Sequence, residues 1–240
     1  MARPQQRGLA RARKTHQADV GEQLQLQRER ALLAGRPALE RRLGMLGGTF
    51  DPPHLAHLVL AAAAHHHLGL ERVLFVPAGD PWRKRGRAAL SPAWARLRLV
   101  RAAVERLPWA EVSEVETGRA GPSYTADTLG LLRREAPGAW WFLLGADALA
   151  DLPQWHEPQR ISAQARLGVA RRPGPNGDAA VDPAVREAVP GIERRIDWIP
   201  MPALAVSSSE LRERVRHGRD VSLLIPERVR EEIEALGLYR

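Results

Sequence analysis

The sequence predicts an α/β fold: one domain over residues 42–240, a parallel sheet with helices on both faces. Three observations carry this expectation. From Arg42 onward, short apolar runs alternate with amphipathic stretches, the order that βαβ units produce. The 240 residues are 44% hydrophobic and 27% charged, an ordinary composition for one sizeable soluble core. No internal repeat occurs, and no apolar run nears the ~18 residues of a membrane span.

Strands are expected at Leu43–Gly47, Val73–Pro77, Glu111–Glu116, Trp140–Leu144, Leu167–Ala170 and Ile196–Ile199. Helices are expected at Leu55–Leu68, Pro92–Leu107, Tyr124–Glu135, Ser209–His217 and about Glu227–Leu236. Ser91 followed by Pro92 reads as an N-cap with Pro at the first helical position, and Ser123 as the cap of the third helix. Residues 172–191, with Pro173, Gly174, Pro175, Asn176 and Gly177, read as a surface loop. In such a sheet a ligand is expected beyond the carboxyl ends of the strands.

The net charge of +8 is unevenly placed: residues 1–43 hold ten Arg/Lys against four Asp/Glu. Residues 1–41 are rich in Gln, Arg and Ala, and a helix around Glu22–Leu33 would have little apolar face to bury. They read as a basic, disordered extension, or as an artefact of an upstream start, since Met45 is the next methionine. There is no Cys, which excludes disulfides and thiolate metal sites. The N-terminus lacks the apolar segment of a secretory signal, so a cytoplasmic location is expected.

GGTFDPPHLAH, residues 47–57, carries the chemistry. The first strand runs into Gly47 and Gly48, which permit a tight turn and a close ligand approach. Pro52 and Pro53 stiffen the entry to a helix whose first turn holds His54 and His57, three apart on one face. A helix start offers unpaired N–H groups and a positive dipole end. Two imidazoles added to those donors make a phosphate site. A zinc site would want a third ligand, and no HExxH accompanies the pair. His65, His66 and His67 lie at the far end of that helix and read as surface.

The eleven-residue string resembles the GGTFDPxHxGH signature of the nucleotidyltransferase superfamily, with Ala56 where Gly is usual. VSSSELR, residues 206–212, resembles that superfamily's ISSTxIR element, in which hydroxyls and N–H groups at a helix start turn to phosphate. PSYTADTL (122–129), LGADALADLPQWHE (144–157), ARRPG (170–174) and LIPERVREEIEALGLYR (224–240) look like the bacterial nicotinate-nucleotide adenylyltransferases. The resemblance runs from about Arg42 to Arg240 and implies a Rossmann-like fold.

It also implies a reaction: adenylyl transfer from ATP to nicotinate mononucleotide, giving nicotinate adenine dinucleotide and pyrophosphate. By the same resemblance, Gly47, Gly48, Thr49 and Phe50 surround the nucleotides, and His54 and His57 contact the ATP phosphates, with His57 bracing the transition state. Ser208, Ser209 and Arg212 would hold the triphosphate. Asp147 would meet ribose hydroxyls, Trp155 would stack on the pyridine ring, and Tyr124 and Thr125 would face the nicotinate. Mg²⁺ would come with ATP, bridging phosphate oxygens through water without protein side-chain ligands. The loop at 78–87 has Pro81-Trp82-Arg83-Lys84 where many members carry a histidine, which leaves two readings: Arg83 or Lys84 replaces that contact, or the loop is only solvated charge.

Three rival readings stand beside this one. Another phosphate acceptor, such as nicotinamide mononucleotide, would suit the same phosphate motifs. A nucleic-acid-binding protein could use the basic arm, but residues 44–240 show no interleaved aromatic–basic face, so no nucleic acid partner is expected. An aminoacyl-tRNA synthetase fragment should carry a lysine-rich KMSKS-like loop, and Lys14 and Lys84 are the only lysines.

Overall fold

A computed structural model describes residues 41–84, 90–171 and 181–240, with Lys84 described by its backbone only. The basic extension with its expected helix, the rest of the loop after Lys84 and residues 172–180 lie outside the described residues.

The elements in chain order are β1 (Arg42–Gly48), α1 (Leu55–Leu68), β2 (Arg72–Pro77), α2 (Ala93–Val104), β3 (Ala110–Val112), α3 (Thr125–Glu135), β4 (Ala139–Gly145), α4 (Ala146–Ala150), α5 (Pro158–Gln164), β5 (Arg166–Ala170), α6 (Pro183–Ala188), β6 (Ile196–Ile199), α7 (Ser208–Arg216) and α8 (Glu227–Ala235). Single 3₁₀ turns stand at Trp82–Lys84, Leu152–Gln154 and Ile192–Arg195. The six strands form one sheet in the order β3-β2-β1-β4-β5-β6, every pairing parallel.

Alternate side chains fill the two faces, as a period of two requires. Leu46, Phe75, Trp141 and Leu143 pack on one face under α1, α2, α7 and α8. Met45, Val76, Trp140, Phe142 and Leu144 pack on the other under α3, α4, α5 and α6. The chain winds outward through β2 and β3, then returns to place β4 against β1. A crevice opens where the winding reverses, beyond the ends of β1 and β4.

The expected elements are present, with corrections at their ends. β3 is three residues long, not six. α6 lies inside the stretch read as a surface loop. Neither serine caps as expected: Pro92 and Tyr124 hold the N-cap positions of α2 and α3. Ser91 instead gives its N–H to Asp51 Oδ2 at 3.1 Å. Ser123 is paired with Asp80, accepting that residue's N–H at its Oγ and donating its own N–H to the Asp80 carbonyl. No helix among the described residues is long and apolar enough to cross a membrane.

Candidate active site

A cleft of about 350 Å³ occupies the crevice. Gly47, Gly48 and Thr49 enter it from the end of β1, and His57 from α1. Ala78, Pro81, Trp82 and Arg83 come from the segment after β2, and Tyr124 and Thr125 from the start of α3. Phe142 of β4, with Ala148, Trp155 and His156 beyond it, completes the opposite wall. One end of the cleft is therefore a glycine strand end beside a helix start, and the other is an aromatic chamber.

At the helix start the structure separates the two histidines. His54 is the N-cap of α1, not a first-turn residue, and is 6% exposed. Burial, which disfavours the imidazolium, lowers its pKa to about 4, so it is neutral at neutral pH. Its Nδ1 is buried without a hydrogen-bond partner. His57 stands in front of it, ring centroids 3.8 Å apart, and it is His57 that lines the cleft. The His54 N–H donates to His57 Nδ1 at 3.2 Å. An Nδ1 held as acceptor leaves the neutral ring's proton on Nε2, a donor that needs no positive charge.

Phe50 corrects an expectation. Its ring is 1% exposed and packs between Phe75 and His57, so it belongs to the core and not to a nucleotide-contacting wall. This packing also bears on Gly48. A Cβ there would stand 3.1 Å from the Phe50 ring, and Gly47 and Gly48 are strand residues paired with Val76 and Pro77, so no tight turn requires them.

The second motif meets the first. The Ser208 hydroxyl donates to the Pro52 carbonyl at 2.9 Å, and Arg212 Nη1 to the Asp51 carbonyl at 2.8 Å. Arg212 Nη2 also reaches Ser209 Oγ at 3.3 Å, while Ser207 is the N-cap, accepting from the Glu210 N–H. The starts of α1 and α7 thus abut, and both positive dipole ends are on one side of the molecule. Ser208, Ser209 and Arg212 brace the first motif and are not among the walls of the cleft. Asp147 is exposed on α4, next to the cleft residue Ala148.

The aromatic chamber is larger than the sequence indicated. Tyr124 stacks on His156 with centroids 4.0 Å apart, and Trp82 meets Tyr124 edge-on at 5.6 Å. Trp155 stands edge-on to Phe142, under the Arg83 guanidinium at 5.9 Å. Arg83 also reaches Asp151 Oδ2 at 3.2 Å, tying the segment after β2 to the turn that carries Trp155. Arg83 is a wall of the cleft with Trp82 beside it, and the Lys84 side chain lies outside the described residues.

Two buried charged residues escaped the sequence reading. Arg96, 2% exposed, donates to the carbonyls of Thr49 (2.9 Å), Gly79 (3.2 Å) and Ser91 (3.0 Å), clamping three loops around the cleft. Glu116 lines the cleft at 6% exposure and accepts from the Thr128 hydroxyl at 2.7 Å. Burial pushes the Glu116 carboxyl above the usual range, against the hydrogen bonds from Thr128 and Ser123. Both sit in helical or loop patterns where Arg and Glu are ordinarily solvated, and only tertiary placement distinguishes them.

Comparison with known proteins agrees with this geometry. The Cytidylyltransferase-like family model matches residues 45–214. A protein of Thermomicrobium roseum named "Probable nicotinate-nucleotide adenylyltransferase" is 44% identical over 83% of this chain and 92% of its own. A protein of the same name from Roseiflexus sp. is 45% identical over 82% of this chain and 98% of its own. The fold matches a Plasmodium falciparum nicotinic acid mononucleotide adenylyltransferase complexed with NaAD, at a TM-score of 0.64 and 20% identity over 83% of this chain and 98% of that one. With two motifs joined at the switch-point cleft and relatives of that name along nearly the whole described core, the chain belongs to the nicotinate-nucleotide adenylyltransferase family.

Proposed function

We propose that the switch-point cleft transfers the adenylyl group of ATP to nicotinate mononucleotide, with His57 as the donor that braces the reacting phosphates and the aromatic chamber as the acceptor site. The observation that carries this reading is the cleft's two ends: His57 beside the glycine strand end, Tyr124 and Trp155 opposite. A phosphate oxygen of the mononucleotide attacks the α-phosphorus of ATP. The bond from that phosphorus to the bridging oxygen breaks, and pyrophosphate leaves with the electron pair. A phosphate dianion is already a competent nucleophile, so the protein's part is positioning and charge stabilisation. His57 Nε2–H donates to oxygens that gain charge as the bond breaks. The abutting starts of α1 and α7 favour the triphosphate, with Ser209 and Arg212 as its contacts on α7.

The acceptor's pyridine ring stacks on Trp155 in this reading, in the chamber that Tyr124 and His156 also line. Its carboxylate accepts from the start of α3, where Thr125 lines the cleft and its N–H has no intrahelical acceptor. Mg²⁺ enters as part of the substrate MgATP. The described residues hold no group of three or more His, Asp or Glu placed to hold a metal ion, so no protein ligand set is assigned to it.

A coupled assay of pyrophosphate release against a panel of mononucleotide acceptors tests the proposal. Turnover should require MgATP and be fastest with nicotinate mononucleotide. Turnover with a non-pyridine acceptor and none with this one would sink it.

A further inference from the structure

The last residues of the chain return to the first motif. After α8 the backbone turns back through Gly237 (φ 60°) and Tyr239 (φ 67°). A left-handed conformation at a tyrosine is unfavourable and persists where surrounding contacts fix it. Here the contact is specific: the Tyr239 hydroxyl donates to Asp51 Oδ1 at 2.6 Å, across 188 residues of sequence. Burial, and then the Asp51 charge, push the Tyr239 phenol well above its ordinary pKa, so it stays a donor.

Asp51 is 1% exposed and is the hub of the segment between β1 and α1. Its other carboxylate oxygen accepts the Ser91 N–H, and its carbonyl accepts from Arg212. That segment is held by side chains, Arg96 on the Thr49 carbonyl, Ser208 on that of Pro52 and Arg212 on that of Asp51, and it sets where α1 and His57 begin. We propose that Tyr239 is a positioning residue for this site: its hydroxyl locks Asp51, and so the C-terminus fixes the phosphate end of the cleft. The proposal rests on the adenylyl-transfer reading for its kinetic consequence, but not for its effect on nucleotide binding. Tyr124 and Trp155 lie at the other end of the cleft, so the acceptor should be unaffected.

The test uses the full chain with Tyr239→Phe, which removes one oxygen. Affinity for a non-hydrolysable ATP analogue, read by calorimetry, should fall about tenfold, the scale of one hydrogen bond to a charged group. In turnover, the KM for ATP should rise or kcat fall to match, while the KM for nicotinate mononucleotide stays within twofold. In an Asp51→Ala background, which leaves the phenol no acceptor, the same substitution should change analogue affinity by less than twofold. If Tyr239→Phe does not fold, Asp51→Ala alone should show at least the tenfold loss of analogue affinity. Analogue affinity within twofold of the parent, a lower melting temperature alone, or an equal loss in both backgrounds would overturn the proposal. Absence of turnover in the parent would sink the adenylyl-transfer reading, and the calorimetry would still decide the role of Tyr239.

Discussion

His57 and His54 show how far one residue type can be driven apart by three positions. His57 faces the cleft with Nδ1 occupied, so His57→Ala should lower kcat by on the order of a hundredfold, the effect of losing one preorganised donor. The lost bond to the His54 N–H should cost only about 1 kcal/mol of stability, which a thermal melt would show. Turnover within threefold of the parent would remove His57 from the chemistry. His54, with a pKa pulled down to about 4, makes a different prediction. Its depressed pKa contributes stability that is present above the unfolded value near 6.5 and lost as pH falls through about 4. The shift corresponds to roughly 3 kcal/mol. Urea unfolding of His54→Gln should therefore show a flatter loss of stability between those pH values than the parent. The motif made both histidines legible in the sequence, but not that one would be buried behind the other. Phe50 was misread for the same reason: its neighbours Phe75 and Gly48 come from the sheet, and a linear string does not show which way a ring turns.

At the scale of elements, β1, β2, β4 and β5 and the helices α1, α2 and α3 were legible because each buries several apolar residues at its own period, whereas β3 buries none and α7 only Leu211. α4, α5 and α6 were not, since five to seven residues make too few turns to show one. Ser91 and Ser123 looked like caps, but tertiary partners, Asp51 and Asp80, use their polar groups instead. The element around Glu116 carries its own test. Burial raises its pKa, so the folded state holds the proton more tightly than the unfolded chain. That contribution is full below the ordinary Glu value of about 4.3 and is lost as pH rises through the raised one. Glu116→Gln should therefore raise the melting temperature at pH 8, with the gain shrinking toward pH 4. A variant equally destabilised at both pH values would contradict this account of the carboxyl.

The whole molecule is where sequence reading ran out. Arg96 joins Thr49, Gly79 and Ser91, and Tyr239 reaches Asp51, linking four segments far apart in sequence: the one between β1 and α1, the one after β2, the start of α2 and the one after α8. Those links hold the first motif in place, and the bonds from Ser208 and Arg212 to the Pro52 and Asp51 carbonyls join the second motif to it. Arg96→Met should therefore reduce kcat/KM for ATP more than tenfold, because three loop carbonyls lose a shared charged donor. Initial rates at varied MgATP check it, and a loss confined to the acceptor's KM would contradict it.

The central claim is that this cleft adenylates nicotinate mononucleotide, with the start of α3 reading the carboxylate. The most direct measurement is kcat/KM for that mononucleotide and for its amide, at saturating MgATP. A carboxylate accepts from the Thr125 N–H with either oxygen, whereas a carboxamide can turn its NH₂ toward that donor. An unpaired donor of that kind costs about 1–3 kcal/mol, so the acid should be preferred roughly ten- to a hundredfold. Equal values, or a preference for the amide, would contradict the claim.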